Sequence, residues 1–556
     1  MPPERPPDGA NAALGASTAS NAAFAPLLRR RTAALIGVVS VAAAVGAGHL
    51  VAALVAPAAS PPLAVGAAAV RLAPQALVEF ATSTFGTADK AVLLGGVAIV
   101  LAIVAALAGL ASRRSPTAAV AVVVVLGLLA AVAAGSAPAF TQLDYAPPLA
   151  AVVVGVAAVR WLHRRALRDA RLAGRVDSPQ SPPPLRGDHE PGEEQPPAVD
   201  RRTVLRGSTA AIAAVGAGAL AAGGAGQLLT GGVDASRAEV TRLLAGARVA
   251  PAPPLPPGAD LAAFGAPPLI TSNADFYRID TALRVPARSA ADWSLRVHGM
   301  VDRELSLSFV DLVARPLVAR TITMTCVSNE VGGSLVSTAT FVGVDLADLL
   351  REAGVREGAD QLLSTSQDGW TAGTPTSVVL EPDRGALLAV GMNGEALPRE
   401  HGFPVRMIVP GLYGYVSATK WLADLEVTTF AARDAYWVQR GWAARGPIKT
   451  QSRIDSPRGS VAAGRVTLAG TAWAQHTGVE RVEVRADDGP WRAADLAAEV
   501  NLDTWRMWRA ELDLAPGRHV LQCRATDRSG DTQPEQPRPP VPDGATGWHT
   551  VTVTAS

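Results

Sequence analysis

The sequence predicts three regions in order: an α-helical membrane domain, an α+β domain and an all-β sandwich. Two observations separate them. The chain has 556 residues, and those before about Gly232 are mainly alanine, valine, leucine and glycine, whereas tryptophan, arginine, aspartate and glutamate concentrate after it. Beyond about Gly446, short alternating strands follow one another with glycine and aspartate turns between them. The first part suits lipid and the second suits water, and the length indicates more than one domain.

Four apolar segments in the first part are long enough, or nearly so, to cross a bilayer, which takes about 20 residues of helix. Residues 62–85 are also apolar, but Arg71 and Glu79 interrupt them, so we expect an extracytoplasmic amphipathic or re-entrant segment there. A disordered cytoplasmic N-terminus is predicted over residues 1–31 and a four-span membrane domain over residues 32–165. The four predicted spans are residues 32–55, 91–111, 117–134 and 148–162.

The distribution of arginine predicts the orientation of these spans. Basic clusters precede the first span, lie between the second and third, and follow the fourth, whereas the alternate loops are nearly free of arginine. The positive-inside rule therefore places the N-terminus and the end of the fourth span in the cytoplasm. Residues 166–202, rich in proline, glycine and acidic residues, are predicted as a cytoplasmic linker.

A further arginine pair begins the next apolar stretch. Arg201 and Arg202 open the motif Arg-Arg-Thr-Val-Leu-Arg, which resembles a twin-arginine export signal, and residues 203–229 are predicted as a fifth span. The alternative is one more positive-inside anchor. Both interpretations predict a multi-pass protein of the cell membrane whose second part lies on the extracytoplasmic side. Residues 230–268 are predicted as a proline-rich linker.

Residues 269–445 mix short strands with helical patterns but lack the regular β-α-β alternation of a doubly wound sheet, which favours an α+β fold. Residues 293–299 alternate as a half-buried strand does, and residues 308–313 and 344–353 have helical spacing. Residues 446–556 are predicted as an immunoglobulin-like sandwich, because strands recur at 466–473, 479–486, 505–514, 519–526 and 548–553.

Cysteine is the most informative residue type of this chain. There are two cysteines, which excludes a disulfide framework and a cysteine-cluster metal site. Cys326 lies between a strand-like run and a glycine-rich turn, so it is a buried packing residue, a nucleophile or a single thiolate ligand of a cofactor metal. Cys523 lies on a predicted sandwich strand and is expected to be a core residue. The net charge of +1 gives no indication of nucleic acid binding.

Six motifs follow one another from about Ile270 onward, at 273–280, 296–301, 324–329, 343–350, 392–411 and 419–421. In their order and spacing the chain resembles the sulfite oxidase family of molybdenum-cofactor enzymes. The resemblance implies a sulfite oxidase-type molybdopterin domain over residues 269–445 and a C-terminal domain of the kind that family members often use to form homodimers. It also implies a molybdenum–molybdopterin cofactor. One protein cysteine completes the metal coordination in this family, and Cys326 matches that position.

The resemblance further implies the residues of the site. Cys326 is the expected metal ligand, and Cys326, Arg278 and Tyr436 are the expected catalytic residues. Tyr413 is expected to line the pocket. Arginine, lysine and hydroxyl groups suit the phosphate of the pterin. The expected cofactor-binding residues are Asn273, Tyr277, Arg278, Cys326, Thr374, His401, Arg406, Ser417 and Lys420.

Two departures from the family pattern bear on the substrate. Sulfite oxidases place arginines just after the cysteine motif and before the Lys-Trp pair, whereas this chain has Glu330 and, roughly, Ser417 there. A carboxylate beside the metal opposes a doubly charged anion, although Glu330 as a structural turn residue is an equal alternative. We therefore expect oxygen-atom transfer that reduces a sulfoxide or another neutral oxide. Sulfite-type oxidation is one alternative, and a membrane-tethered binding module without redox activity is another.

The sequence lacks a cytochrome b5-like segment, a Cys-x-x-Cys-His motif and a set of iron–sulfur cysteines. We therefore expect electrons to be exchanged with an external carrier, such as a quinone, a cytochrome or another redox protein. The other expected partners are a small-molecule oxide or oxyanion and the membrane.

Overall fold

The computed structural model describes residues 27–56, 59–74, 89–137, 141–176 and 232–556, with a few single positions between them. The chain divides into two compact units, with the boundary between Leu229 and Thr230. The predicted disordered N-terminus, the predicted cytoplasmic linker and the twin-arginine-like fifth span each lie mostly outside the described residues.

The first unit is helical. Four of its helices are long and apolar enough to cross a membrane, in agreement with the four predicted spans. A shorter apolar helix lies in the region predicted as amphipathic or re-entrant. The helices are α1 (Arg30–Val55), α2 (Pro61–Leu72), α3 (Asp89–Ala111), α4 (Thr117–Gly135) and α5 (Ala146–Val176).

Helix α5 corrects one predicted boundary. It continues to Val176, past residue 165, where the cytoplasmic linker was predicted to begin. The alanine, leucine and arginine residues that follow Trp161 are strong helix formers, so the helix does not stop where the apolar segment ends. The linker prediction is therefore wrong over its first residues.

The second unit begins inside the predicted proline-rich linker, and that prediction is wrong for much of residues 230–268. Helix α6 (Gly232–Gly246) buries Val233 and Val240, which lie seven residues apart on one helical face. Further along, Leu261 and Leu269 belong to a buried cluster with tryptophans of the C-terminal domain. Buried apolar residues therefore hold this segment against the rest of the unit. The linker prediction considered only the proline content and did not take them into account.

The α+β domain contains two sheets, mostly antiparallel. One sheet has β1 (Val249–Ala250), β4 (Leu317–Thr325), β5 (Val336–Asp345), β8 (Leu387–Met392) and β10 (Arg406–Ile408) as neighbours in that order, with β9 (Glu395–Ala396) beside β8. The other has β3 (Leu305–Ser308), β2 (Ser294–Gly299), β11 (Leu422–Thr428), β6 (Gln361–Ser366) and β7 (Thr371–Pro375) in that order. Only the β1–β4 and β2–β11 pairs are parallel among these strands.

Short helices complete this domain: α7 (Phe309–Val313), α8 (Leu346–Ala353), α9 (Thr376–Val379) and α10 (Gly414–Ser417). Helix α8 begins at the cap Asp345, whose carboxylate accepts from the amides of Ala347 and Asp348, and ends at Gly354 with φ of 72°. Because the positive φ suits glycine, the chain turns there. Side chains from both sheets, such as Val297, Phe341 and Leu425, are fully buried in one core.

The C-terminal domain has two sheets around a separate core. Its strands are β12 (Gln451–Ser456), β13 (Gly459–Val461), β14 (Gly464–Trp473), β15 (Val479–Ala486), β16 (Arg492–Ala493), β17 (Asp495–Leu496), β18 (Arg506–Leu514), β19 (Gly517–Asp527) and β20 (His549–Ala555). One sheet has the order β12-β14-β18-β17 and the other β13-β20-β19-β15-β16. The five predicted strands are present, each within two residues of its predicted bounds. The likeness to immunoglobulin domains remains a prediction.

Candidate active site around Cys326

Cys326 is the first residue after β4. Its amide donates to the Leu335 carbonyl at 3.0 Å, and its carbonyl accepts from the Asn329 amide at 3.0 Å. The Asn329 side chain also closes the turn, because its Oδ1 accepts from the Leu335 amide at 2.8 Å. We call residues 326–335 the cysteine loop. Cys326 is 8% exposed, so a closed loop holds a largely buried thiol.

Three basic side chains of the motifs at 392–411 and 419–421 are also buried. His401, Arg406 and Lys420 are 4%, 4% and 7% exposed. Gly402 brings their segments together: its φ is +114°, and a Cβ there would lie 3.1 Å from both the Arg406 Cβ and the Lys420 Cα. A larger residue would force these segments apart, so glycine is required for the cationic side chains to share one site.

Asp280 links these cations to the motif at 273–280. Its Oδ2 accepts from Lys420 Nζ at 3.1 Å and from Arg278 Nε at 3.1 Å, and its side chain is only 5% exposed. On the other side of the site, His401 Nε2 is 3.0 Å from the Asn273 carbonyl. The two motifs, more than a hundred residues apart in sequence, therefore form one cluster.

Burial controls the ionisation of this cluster. It lowers the pKa of Arg406 to about 10, which Tyr277 and Asp280 oppose. It lowers the pKa of Lys420 to about 8, against the attraction of Asp280, and the charge of Arg406 lowers it further. Burial, with the charges of Arg406 and Lys420, lowers the pKa of His401 to about 4. At neutral pH the site therefore contains two buried cations and a neutral imidazole.

One of these charges, that of Lys420, also acts on the Cys326 thiol. Burial raises its pKa, whereas hydrogen bonds involving Ser328 and the charge of Lys420 oppose that rise. Burial also raises the pKa of Tyr277, a nearby Cys326 thiolate raises it further, and Arg406 opposes both. Coordination to a metal deprotonates a thiol outright, so a metal-bound Cys326 would be a thiolate facing a cationic environment.

Two buried donors in this site have no hydrogen-bond partner among the described residues. They are Arg406 Nε and Asn329 Nδ2; His401 Nδ1 also has no partner there, but it is an acceptor, because the single proton of the neutral ring is on Nε2 and is donated to the Asn273 carbonyl. A buried donor without an acceptor costs about 1–3 kcal/mol, so both positions suit a polar or anionic ligand. Together with one soft sulfur, these donors fit a cofactor that has a metal to bind and a phosphate to neutralise. A second kind of metal site is not indicated, since no group of three or more acidic, histidine or cysteine ligands occurs in the described part of the chain.

The structure brings together six of the predicted site residues, and five others have different surroundings. The Asn273 side chain donates to Glu395 Oε1 at 2.6 Å and accepts from Asn393 Nδ2 at 2.9 Å. The Ser417 hydroxyl is within 3.0 Å of the Leu412 and Tyr413 carbonyls. These contacts are internal, so the two side chains support the site and their predicted binding roles are not favoured. The six that are clustered are Tyr277, Arg278, Cys326, His401, Arg406 and Lys420.

The third is Thr374, which is fully buried and donates to the Val416 carbonyl. Tyr413 is 1% exposed, and its hydroxyl contacts the Lys449 amide at 3.4 Å. Tyr436 lies in an aromatic group with Trp437, at 5.1 Å between ring centroids, and its ring is 3.7 Å from the Arg440 guanidinium carbon. The catalytic role of Tyr436 and the pocket role of Tyr413 remain predictions.

Sequence reasoning missed two acidic residues. Asp280 is the bridge between Lys420 and Arg278, and Asp368 is a buried carboxyl whose pKa is raised, first by burial and also by Asp280. Asp280 ends a motif that had already been singled out. An acidic residue in an otherwise cationic motif was the available signal.

A buried thiol under the influence of the buried cation Lys420, with an unsatisfied donor on Arg406, suits a cofactor that has a metal and an anionic group. Comparison with known proteins agrees. A family model described as "Oxidoreductase molybdopterin binding domain" matches residues 282–437. The mitochondrial sulfite oxidase of Macaca fascicularis is 30% identical over 322 residues, which cover 49% of this chain and 58% of that protein. The human enzyme gives the same values.

An uncharacterised oxidoreductase of Bacillus subtilis, YuiH, is 36% identical over 154 residues, which cover 28% of this chain and 74% of that protein. Among solved structures, the sulfane dehydrogenase SoxCD of Paracoccus pantotrophus is similar with a TM-score of 0.45 and 24% identity, over 52% of this chain and 84% of that one. The chain belongs to the sulfite oxidase family of molybdopterin-dependent oxidoreductases and is an enzyme of that family. It spans 58% of the length of the mammalian sulfite oxidases.

Proposed function

We propose that this protein is a membrane-anchored, extracytoplasmic oxidoreductase that transfers oxygen atoms and reduces a sulfoxide or a similar neutral oxide. The observation that carries the proposal is a buried Cys326 thiol under the influence of the buried cation Lys420, in a domain where Arg406 Nε has no partner among the described residues. When bound, the molybdenum cofactor supplies oxygen-atom transfer coupled to the exchange of two electrons.

The residues of the chain have distinct roles in this proposal. Cys326 is the protein ligand of the metal. Arg406 and Lys420 hold the phosphate end of the pterin, because their donors are buried and Lys420 is oriented by Asp280. The neutral His401 donates its one proton to the Asn273 carbonyl, which leaves Nδ1 as an acceptor for the cofactor. Sulfoxide reduction consumes two electrons and two protons and releases a thioether and water. The electrons come from an external carrier, a quinol, a cytochrome or another redox protein.

The charge near Cys326 supports a neutral substrate. Glu330 lies in the cysteine loop and is exposed, so its carboxylate opposes the approach of a doubly charged anion. Ser417 replaces an arginine of the sulfite oxidase pattern, and its hydroxyl contacts backbone carbonyls. It therefore adds no positive charge that would favour sulfite.

The remaining parts of the proposal concern the rest of the chain. The four apolar helices anchor the protein in a membrane, and the positive-inside rule puts the catalytic domain on the extracytoplasmic side. The C-terminal domain is proposed to be immunoglobulin-like and to mediate a homodimer.

The experiment is a substrate screen with the full chain produced in a host that makes the cofactor. We expect about one molybdenum per chain, turnover of sulfoxides with a reduced artificial donor, and little oxidation of sulfite with an acceptor. Glu330→Gln should raise kcat/KM for sulfite about tenfold by removing one opposing charge. Glu357→Gln is the matched control, since Glu357 is an exposed glutamate in another turn of the same domain.

Three results would count against this proposal. Protein without molybdenum, purified from a host that makes the cofactor, would contradict the proposed cofactor. Faster oxidation of sulfite than reduction of every sulfoxide and N-oxide tested would reverse the preferred direction. Equal effects of Glu330→Gln and Glu357→Gln on sulfite turnover would show that Glu330 does not select the substrate.

A further inference from the structure

One edge of β4, the strand that leads into Cys326, is covered by the C-terminal domain. The opposite edge of β4 pairs along its whole length with β5. On the covered edge, β1 pairs only with Leu317 and Val318. Beyond Val318, β4 is hydrogen-bonded to two segments of the C-terminal domain, around residue 475 and at residues 501–505. Asn501 Nδ2 donates to the Thr321 carbonyl at 3.0 Å, and the Thr323 amide donates to the Asp503 carbonyl at 2.9 Å. The Trp505 amide donates to Thr323 Oγ1 at 2.7 Å, and Gln475 Nε2 donates to Thr325 Oγ1 at 3.1 Å.

The cysteine loop itself is held by the same domain. Arg453, on β12, donates from Nη1 to the Gly333 carbonyl at 2.6 Å and from Nε to Asp455 Oδ1 at 2.6 Å. Its side chain is only 8% exposed. The contact is therefore a buried, charge-assisted hydrogen bond, which is roughly twice as strong as a neutral one.

His549, on β20, packs against the neighbouring glycine. A Cβ on Gly332 would lie 2.1 Å from His549 Cδ2, and the φ of Gly332 is +76°. The imidazole is fixed in turn, because its Nδ1 accepts from the Ile454 amide at 2.9 Å. The loop thus follows the surface of the C-terminal domain closely at two consecutive glycines, the residues with the most conformational freedom to lose.

We propose that the C-terminal domain positions the Cys326 sulfur, with Arg453 as the principal positioning residue and Gln475 as the second. This inference rests on the proposed role of Cys326 as metal ligand. Arg453 holds the end of the loop that leads back to β5, and Gln475 holds the strand end at Thr325, one residue before the cysteine. Groups that orient a metal ligand from outside typically change metal affinity or activity 10- to 100-fold when they are lost.

The test replaces Arg453 by lysine in the full chain. Lysine keeps a cation beside the buried Asp455 but cannot donate to Asp455 and Gly333 in the same fork geometry. Arg524→Lys is the matched control, because Arg524 donates from Nε to Glu483 at 2.9 Å in the same domain, and that contact is remote in sequence from the cysteine loop. The readouts are amide hydrogen exchange of residues 326–335, molybdenum content, and the electron paramagnetic resonance signal of the Mo(V) state.

We expect Arg453→Lys to keep its molybdenum, to exchange the loop amides about tenfold faster, and to shift the Mo(V) signal, with lower kcat and unchanged KM. Arg524→Lys should match the wild type in all of these. Loop exchange and a Mo(V) signal identical to the wild type in Arg453→Lys would overturn the proposal.

If Arg453→Lys does not fold, Gln475→Met decides. It removes the bond to Thr325 Oγ1 without removing a buried charge, so it should again shift the Mo(V) signal, and an unshifted signal would overturn the proposal. Wild-type protein that contains no molybdenum would contradict the proposed function instead. In that case, faster amide exchange of residues 326–335 in Arg453→Lys or Gln475→Met, and not in Arg524→Lys, still supports the positioning role. Unchanged amide exchange in both variants overturns it.

Discussion

The two cysteines of this chain are both free and buried, yet their surroundings differ. Burial raises the pKa of each thiol. At Cys326 the charge of Lys420 opposes that rise. At Cys523 the charge of Asp455 adds to the rise and the charge of Arg453 opposes it, and the pKa reaches about 12. Burial alone therefore does not distinguish the two thiols. Their neighbouring charges differ, because one cation acts on Cys326 whereas both members of the buried Arg453–Asp455 ion pair act on Cys523.

The largest expected effect separates these two thiols directly. Cys326→Ser should reduce molybdenum content and turnover to background, because a hydroxyl is a poor ligand where a soft thiolate is needed. Cys523→Ala should leave both at the wild-type level. The measurements are metal analysis and the sulfoxide assay on the full chain. If the two variants retain molybdenum equally, Cys326 is not the metal ligand.

The second prediction concerns the cationic side of the Cys326 site. Arg406→Gln should lower the amount of bound pterin, measured as its fluorescent oxidation product, to roughly a hundredth of the wild-type level. The same change should raise the melting temperature of the cofactor-free protein, since it removes a buried charge whose Nε has no acceptor among the described residues. Arg296→Gln is the control, because Arg296 is an exposed partner of Glu304. A lower melting temperature with normal pterin content would assign Arg406 to folding instead.

The third prediction uses pH. Lys420 has a pKa lowered to about 8, mainly by burial, so it is charged below pH 8 and becomes neutral as the pH rises through 8. Binding of inorganic phosphate to the cofactor-free protein should therefore weaken about tenfold between pH 7 and pH 9. Calorimetric titration measures this. Lys420→Arg should abolish the dependence, because arginine stays charged over this range. A wild-type affinity that stays constant to pH 9 would contradict the assignment.

The residues of the Cys326 site were predicted from the family resemblance. Cys326, Arg406 and Lys420 were assigned because their motifs match the cofactor-holding segments of the family, and a thiolate and cations suit a metal and a phosphate. Asn273 and Ser417 have equally suitable side chains, but Glu395, distant in sequence, binds the first, and backbone carbonyls of the preceding turn bind the second. Only the folded chain shows which acceptor a side chain finds first.

The same limit applied to the fold. The strands of the C-terminal domain were predictable because alternation is a local pattern. The helix at Gly232–Gly246 was missed within a predicted linker. Its stability depends on Val233 and Val240, which are buried in a core formed by residues later in the chain. The contact between Arg453 and Gly333, 120 residues apart, has no local signal at all.

The smallest expected effect concerns Cys523 and tests whether its thiol does more than fill space. The Ser452 hydroxyl is 3.3 Å from Cys523 Sγ but 2.8 Å from Gln533 Oε1, and a hydroxyl has one proton to donate. Because Gln533 is the better acceptor, Cys523→Ala leaves Ser452 satisfied and loses only the contacts of one sulfur atom. We expect a cost of about 1 kcal/mol, seen as a fall of about 2–4 °C in the melting temperature of the full chain. A fall several times larger, or any loss of molybdenum, would show that the sulfur of Cys523 contributes more than packing.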